Sequence, residues 1–166
     1  MTATEDLLAI AQVSVTLVGF SGLVSAFRAR VPTELEARDL SGLAVIGIGG
    51  SIALAFSLLP LPLAYLEIGE AAVWRICSGV FAATLGAGAA AFAVVNRRLS
   101  NAGFIERTPR VNRVTLGLAS AAAVLLALGA FGVFRPGPAA YLTALIVCLV
   151  VCLTYVVAML IIRRRE

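Results

Sequence analysis

Five long apolar runs, separated only by short charged segments, constrain this chain more than any other feature of its sequence. They are Leu7–Phe27, Leu43–Leu66, Ala71–Val95, Val114–Phe134 and Ala139–Ile162. A helix that crosses a bilayer needs roughly 20 mainly apolar residues, and each run meets that length. A water-soluble domain carries about 25% charged residues, whereas this chain of 166 residues carries 13% and is 61% hydrophobic. Too few charges exist to cover a soluble fold of this size, and a protein dissolved in lipid needs no such cover. The expected fold is an all-α integral membrane bundle of five spans, forming a single transmembrane domain over residues 1–166.

The segments between the runs carry helix punctuation. Thr2 with Glu5, and Thr33 with Glu36, have capping-box spacing, so the second helix is expected to begin near Thr33. Thr108-Pro109 reads as an N-cap followed by a proline at the first helical position. Gly69 is expected to stop helix 2, and Asn101 with Gly103 to stop helix 3. Arg135-Pro136-Gly137-Pro138 reads as a tight turn, and Pro60 and Pro62 as a bend near the end of helix 2. Val24-Ser25-Ala26 resembles a signal-peptide cleavage site. With no basic segment before the first run, and Glu5 and Asp6 there instead, a retained helix is the expectation.

All 13 basic residues are arginine, and their placement predicts orientation. Eleven lie on one side of the predicted membrane: Arg28, Arg30 and Arg38, then Arg97, Arg98, Arg107, Arg110 and Arg113, then Arg163, Arg164 and Arg165. Only Arg75 and Arg135 lie on the other. This places the N-terminus outside and the C-terminus in the cytoplasm of a bacterial-type inner membrane. Trp74 and Tyr141 are then expected at the outer interface, with Arg75 reaching outward towards Glu70 or Glu67. The arginines form no continuous basic face with interleaved aromatics, so no nucleic-acid partner is expected. Membrane lipid is the expected partner, with Arg163, Arg164 and Arg165 as headgroup candidates.

Chemistry is sparse. With zero histidines the chain has no imidazole for a metal or a proton relay. Cys148 and Cys152 share a helix face at i,i+4, a spacing able to present two sulfurs to Cu(I) or Hg(II), with Cys77 or Met159 nearby. Lacking an exposed Cys or Met relay, they read as small apolar core residues, and neither metal nor cofactor is expected. No paired acid and base, nucleophile with its base, or metal cluster points to an enzyme. No Asp or Glu lies at mid-depth in a run, which argues against coupling to protons through a buried carboxylate.

The first run is the least lipid-like. At about 100° per residue, Gln12, Thr16 and Gly19 fall on one face of a helix and Ser14, Ser21 and Ser25 on the opposite one. One stripe is expected to pack on neighbouring helices and the other to meet a partner subunit or a water path. Hydroxyls can also bond back to their own helix, but a mid-helix amide needs a partner or water. Close-packing positions are expected at Gly19, Gly22, Gly47, Gly49, Gly50 and Gly86, several of them in small-xxx-small spacing. The leading expectation is a homo-oligomeric channel or pore. Gln12, Ser14, Thr16, Ser21 and Ser25 are its lining candidates, and Glu5 and Asp6 the charge at its outer mouth. The alternatives are an accessory subunit that docks a larger membrane partner without conducting, and a small passive transporter.

Overall fold

The computed structural model describes residues 3–28, 37–66, 69–101, 109–133 and 137–162. They form helices α1 (Ala3–Arg28), α2 (Ala37–Leu58), α3 (Pro60–Ala64), α4 (Glu70–Asn101), α5 (Pro109–Ala130) and α6 (Pro138–Ile162), with no strand among the described residues. Five stretches are long and apolar enough to cross a membrane: Ala3–Ala26, Leu43–Ala64, Glu70–Val95, Arg113–Ala130 and Pro138–Val157. They coincide with the five runs of the sequence to within a few residues, and they fit a multi-pass membrane protein. The expected capping boxes at Thr2 and Thr33, the N-cap Thr108, Gly103, and the arginines 163–165 lie outside the described residues.

The helices pack as a chain of neighbours. α1 lies on α2, α2 on α6, α6 on α5 and α5 on α4, while α6 also reaches α1 and α4. The most apolar helix therefore occupies the middle. Only 11% of the apolar stretch of α4 and 17% of that of α5 is buried by protein, against 39% for the stretch containing α2 and α3. The outer surface presents side chains such as Val13, Phe20, Ile48, Val80, Val124 and Val150, each more than 40% exposed. In water that surface would cost heavily, whereas lipid tails are as apolar as the core.

Prolines start and interrupt helices as their chemistry requires. Pro109 and Pro138 occupy first helical positions, where a missing N–H deprives no carbonyl. Pro60 is different, because the chain runs through Leu59 in helical geometry and Leu59 N–H still bonds Ala55 O at 3.0 Å. Pro60 thus offers no N–H to the Phe56 carbonyl four residues earlier. The hydroxyl of Tyr141, on α6, donates to that carbonyl instead. Around this bond lies an aromatic cluster. Phe56 stacks on Phe81 of α4 with centroids 4.4 Å apart, Phe81 meets Tyr141 edge-on at 5.6 Å, and Tyr141 meets Trp74 at 5.7 Å.

Trp74 and Tyr141 lie near helix ends with their rings turned into the bundle, 7% and 0% exposed, against the freed Phe56 carbonyl and the neighbouring rings. Two readings of the sequence are corrected. Gly69 does not close helix 2. Its carbonyl accepts the N–H groups of Ala72 and Val73 at 2.8 and 3.3 Å, making it the N-cap of α4. Finally, α5 ends at Ala130 rather than at the end of the apolar run. Gly132 adopts φ +78°, Gly132 N–H bonds Gly129 O at 3.1 Å, and Val133 N–H bonds Leu128 O at 3.0 Å. This is the Schellman stop, which needs a residue tolerant of left-handed backbone.

The Tyr141 bond makes a specific prediction for stability. Tyr141→Phe should cost about 1–2 kcal/mol, the worth of a buried hydrogen bond whose acceptor is left unpaired. In a Pro60→Ala background, where an N–H is restored to Phe56, the same change should cost clearly less. Equal losses in both backgrounds, measured by unfolding in detergent, would show that the hydroxyl does not replace the missing N–H.

Candidate functional site: the two faces of the first helix

Glu5 and Asp6 occupy the first turn of α1, where negative charge complements the positive end of the helix dipole. From there the helix carries two distinct stripes. The inward stripe comprises Leu7, Ile10, Ala11, Ser14 and Ser21, all buried. Ser14 is 0% exposed and donates its hydroxyl to Ile10 O at 2.8 Å, while Ser21 donates to Val18 O at 2.8 Å. Both hydroxyls are thus spent on their own helix, which leaves short side chains with no polar demand at a tight crossing.

The crossing partner is the glycine cluster of α2. A Cβ on Gly50 would stand 2.8 Å from Val18 Cγ2 and 3.6 Å from the Ser14 carbonyl oxygen, and one on Gly47 would stand 3.6 Å from Ser21 Oγ. Gly49 faces the other way, onto α6, where a Cβ would stand 2.6 Å from Cys152 Sγ. The Cys148 thiol donates to Gly49 O at 3.6 Å. The glycines at 47, 49 and 50 therefore let α2 approach α1 and α6 at once, and the two cysteines serve as small packing groups. Among the described residues no group of three or more His, Cys, Asp or Glu side chains is placed to hold a metal.

The outward stripe has a different character. Gln12, Thr16 and Gly19 are exposed, together with Glu5, Ala9, Leu23 and Ala26. These positions step by 4, 3, 4, 3, 4 and 3 residues, the 3.5-residue period of a seam between left-handed helix pairs. Thr16 bonds Gln12 O at 2.9 Å, and Thr84, Thr143 and Thr154 likewise bond the carbonyl four residues back. Exposed hydroxyls of this kind need nothing from their surroundings. Gln12 makes no side-chain hydrogen bond with any described residue. It lies nine positions from Ala3, about 13 Å at 1.5 Å per residue, which is close to the middle of the span.

The candidates of the sequence thus separate. Ser14 and Ser21 lie inside the bundle, Gln12 and Thr16 face out, and Ser25 is exposed near the end of α1, bonded to Ser21 O at 2.8 Å. Gly47, Gly49 and Gly50 make close approaches, whereas a Cβ on Gly19, Gly22 or Gly86 would meet nothing within 4 Å. Ala9, Leu23 and Ala26 share the outward face and, being apolar, carry no functional signal of their own in the sequence. Their spacing relative to Gln12 and Thr16 was the available signal.

Because Gly49 abuts a sulfur, Gly49→Ala should destabilise the bundle by about 1–3 kcal/mol, the usual cost of overpacking. Adding Cys152→Ala should recover most of it. Gly86→Ala, with open space around it, should leave thermal unfolding unchanged. No family model, curated protein or solved structure matches this chain.

Proposed function

We propose that this protein is a non-enzymatic, self-associating membrane protein whose copies meet along the outward seam of α1 and surround a conducting path. The observation that carries the proposal is Gln12. An amide at mid-depth, facing away from its own subunit, offers two donors and an acceptor to hydrocarbon, and such a group costs several kcal/mol if left unpaired. A second copy of α1 or a column of water removes that cost. Ala9, Thr16 and Gly19 on the same seam are small enough for helices to approach closely. A five-span subunit whose interior is filled by the aromatic cluster and the glycine crossings has little room for its own aqueous path, so conduction uses several copies. The lining then consists of Gln12 and Thr16, while Ser14 and Ser21 remain packing residues. The acidic first turn at Glu5 and Asp6 gives the mouth a preference for cations. In the orientation predicted from the arginines, that mouth faces outward from the inner membrane.

Purified protein in planar bilayers should show discrete currents, and Thr16→Leu and Gln12→Leu should each lower or abolish them without loss of folded protein. Ser21→Leu is unsuited to this purpose, because the residue packs beside Gly47. Wild-type currents in both seam variants would remove α1 from the path. A folded, inserted protein that is silent and monomeric would favour the accessory-subunit reading, in which the same seam docks a helix of another protein.

A further inference from the structure

On the side of the bundle away from α1, helices α4 and α5 run antiparallel and pack along one another, and a Cβ on Gly79 would lie 3.7 Å from Ala130 Cβ. Deeper in, both helices present short side chains, and a groove of about 540 Å³ opens between them, lined among others by Ala83, Ala123, Val124, Ala127 and Phe131. Every residue lining it is apolar. From Ala123 to Phe131 it follows α5 for about 12 Å at 1.5 Å per residue. A slot of this kind, open on its side to hydrocarbon, forfeits dispersion contacts unless a chain lies in it.

The end of the slot is marked by a cation. Arg75 precedes Gly79 by one turn on the same face of α4, and its Nη2 lies 3.0 Å from where a Cβ on Gly132 would be. Gly132 has no side chain, so the guanidinium lies over the bare backbone that ends α5, where the helix dipole is negative. The nearest acidic residue on α4, Glu70, accepts from Trp74 Nε1 at 3.3 Å, and Arg75 forms no ion pair with a described residue. Its forked donors match the oxygens of a phosphate.

We propose that the α4–α5 groove seats one phospholipid per chain, with an acyl chain along Gly79 and Ala83 and the phosphodiester on Arg75, and that the site favours a net anionic headgroup. The apolar, chain-shaped slot and the guanidinium at its end account for the two halves of such a molecule. This site is separate from the α1 seam and does not depend on conduction.

The test is native mass spectrometry of the full-length protein in detergent, titrated with phosphatidylglycerol, with phosphatidylcholine of the same chains, and with inorganic phosphate. One phosphatidylglycerol per chain should bind about tenfold more tightly than phosphatidylcholine, a difference of about 1.4 kcal/mol. Arg75→Gln should erase that difference. Val124→Trp, made at a 58% exposed position on the groove rim where folding is spared, should weaken both lipids. A short-chain phosphatidylglycerol should bind more weakly than the long-chain form, which checks the groove without any variant. The proposal is overturned if no stoichiometric lipid is retained, or if Arg75→Gln keeps the headgroup preference. It is also overturned if inorganic phosphate displaces the lipid, or if chain length and Val124→Trp have no effect.

Discussion

Inside hydrocarbon a backbone carbonyl without a donor has no water to turn to, and Pro60 creates such a carbonyl at Phe56. The Tyr141 hydroxyl answers it from α6. Because a hydroxyl reaches only a hydrogen-bond length, this contact sets how closely α6 and the α2–α3 segment lie at that end of the bundle. The stacked Phe56 and Phe81 rings then bring α4 against them, and Trp74 closes the cluster over Tyr141. Farther along the same helix pair, Gly49 against Cys152 fixes the approach a second time. The α2–α6 pair thus lies between α1 on one side and α5 with α4 on the other.

Small residues serve this architecture in two opposite ways. At Gly49 and Gly50 the missing side chain is space already taken by Cys152 and Val18, and at Gly47 a Cβ would just reach contact with Ser21. At Gly19 and Gly86 the missing side chain leaves open surface. Hydroxyls divide similarly: Ser14 and Thr16 both bond to their own helix, yet one is buried at a crossing and the other faces out. Residue type thus says little about role in lipid, and the neighbour decides it. Gln12 stands apart because a carboxamide carries more hydrogen-bonding capacity than one hydroxyl, and in its outward position no described residue takes that capacity up.

The α4–α5 pair shows the same economy at the far side of the molecule. Short side chains on both helices leave a groove between them, with Gly79 and Ala130 among the residues that line it. Arg75 reads from the sequence as a charge one turn inside a span, reaching for Glu70 or Glu67, of which Glu67 lies outside the described residues. A neighbour that the pattern does not show is the backbone at Gly132, distant in sequence and just past a helix end that the hydropathy pattern missed. The apolar run continues through Phe131 and Val133, so only the left-handed glycine marks the true stop.

What the amino-acid sequence determined alone is the number, length and placement of the apolar helices, together with the start at Pro109. These follow from transfer of single residues into hydrocarbon and from the missing N–H of proline, both properties that need no partner. The tertiary structure decided which face of each helix turns inward, which glycines are contacts, and where Tyr141, Trp74 and Arg75 point. In water the contrast between a wet and a dry face would announce the buried side. In a bilayer both sides of a helix are equally apolar, so inward and outward differ only in the shape and hydrogen-bonding needs of what packs there, and those exist only once the helices have met.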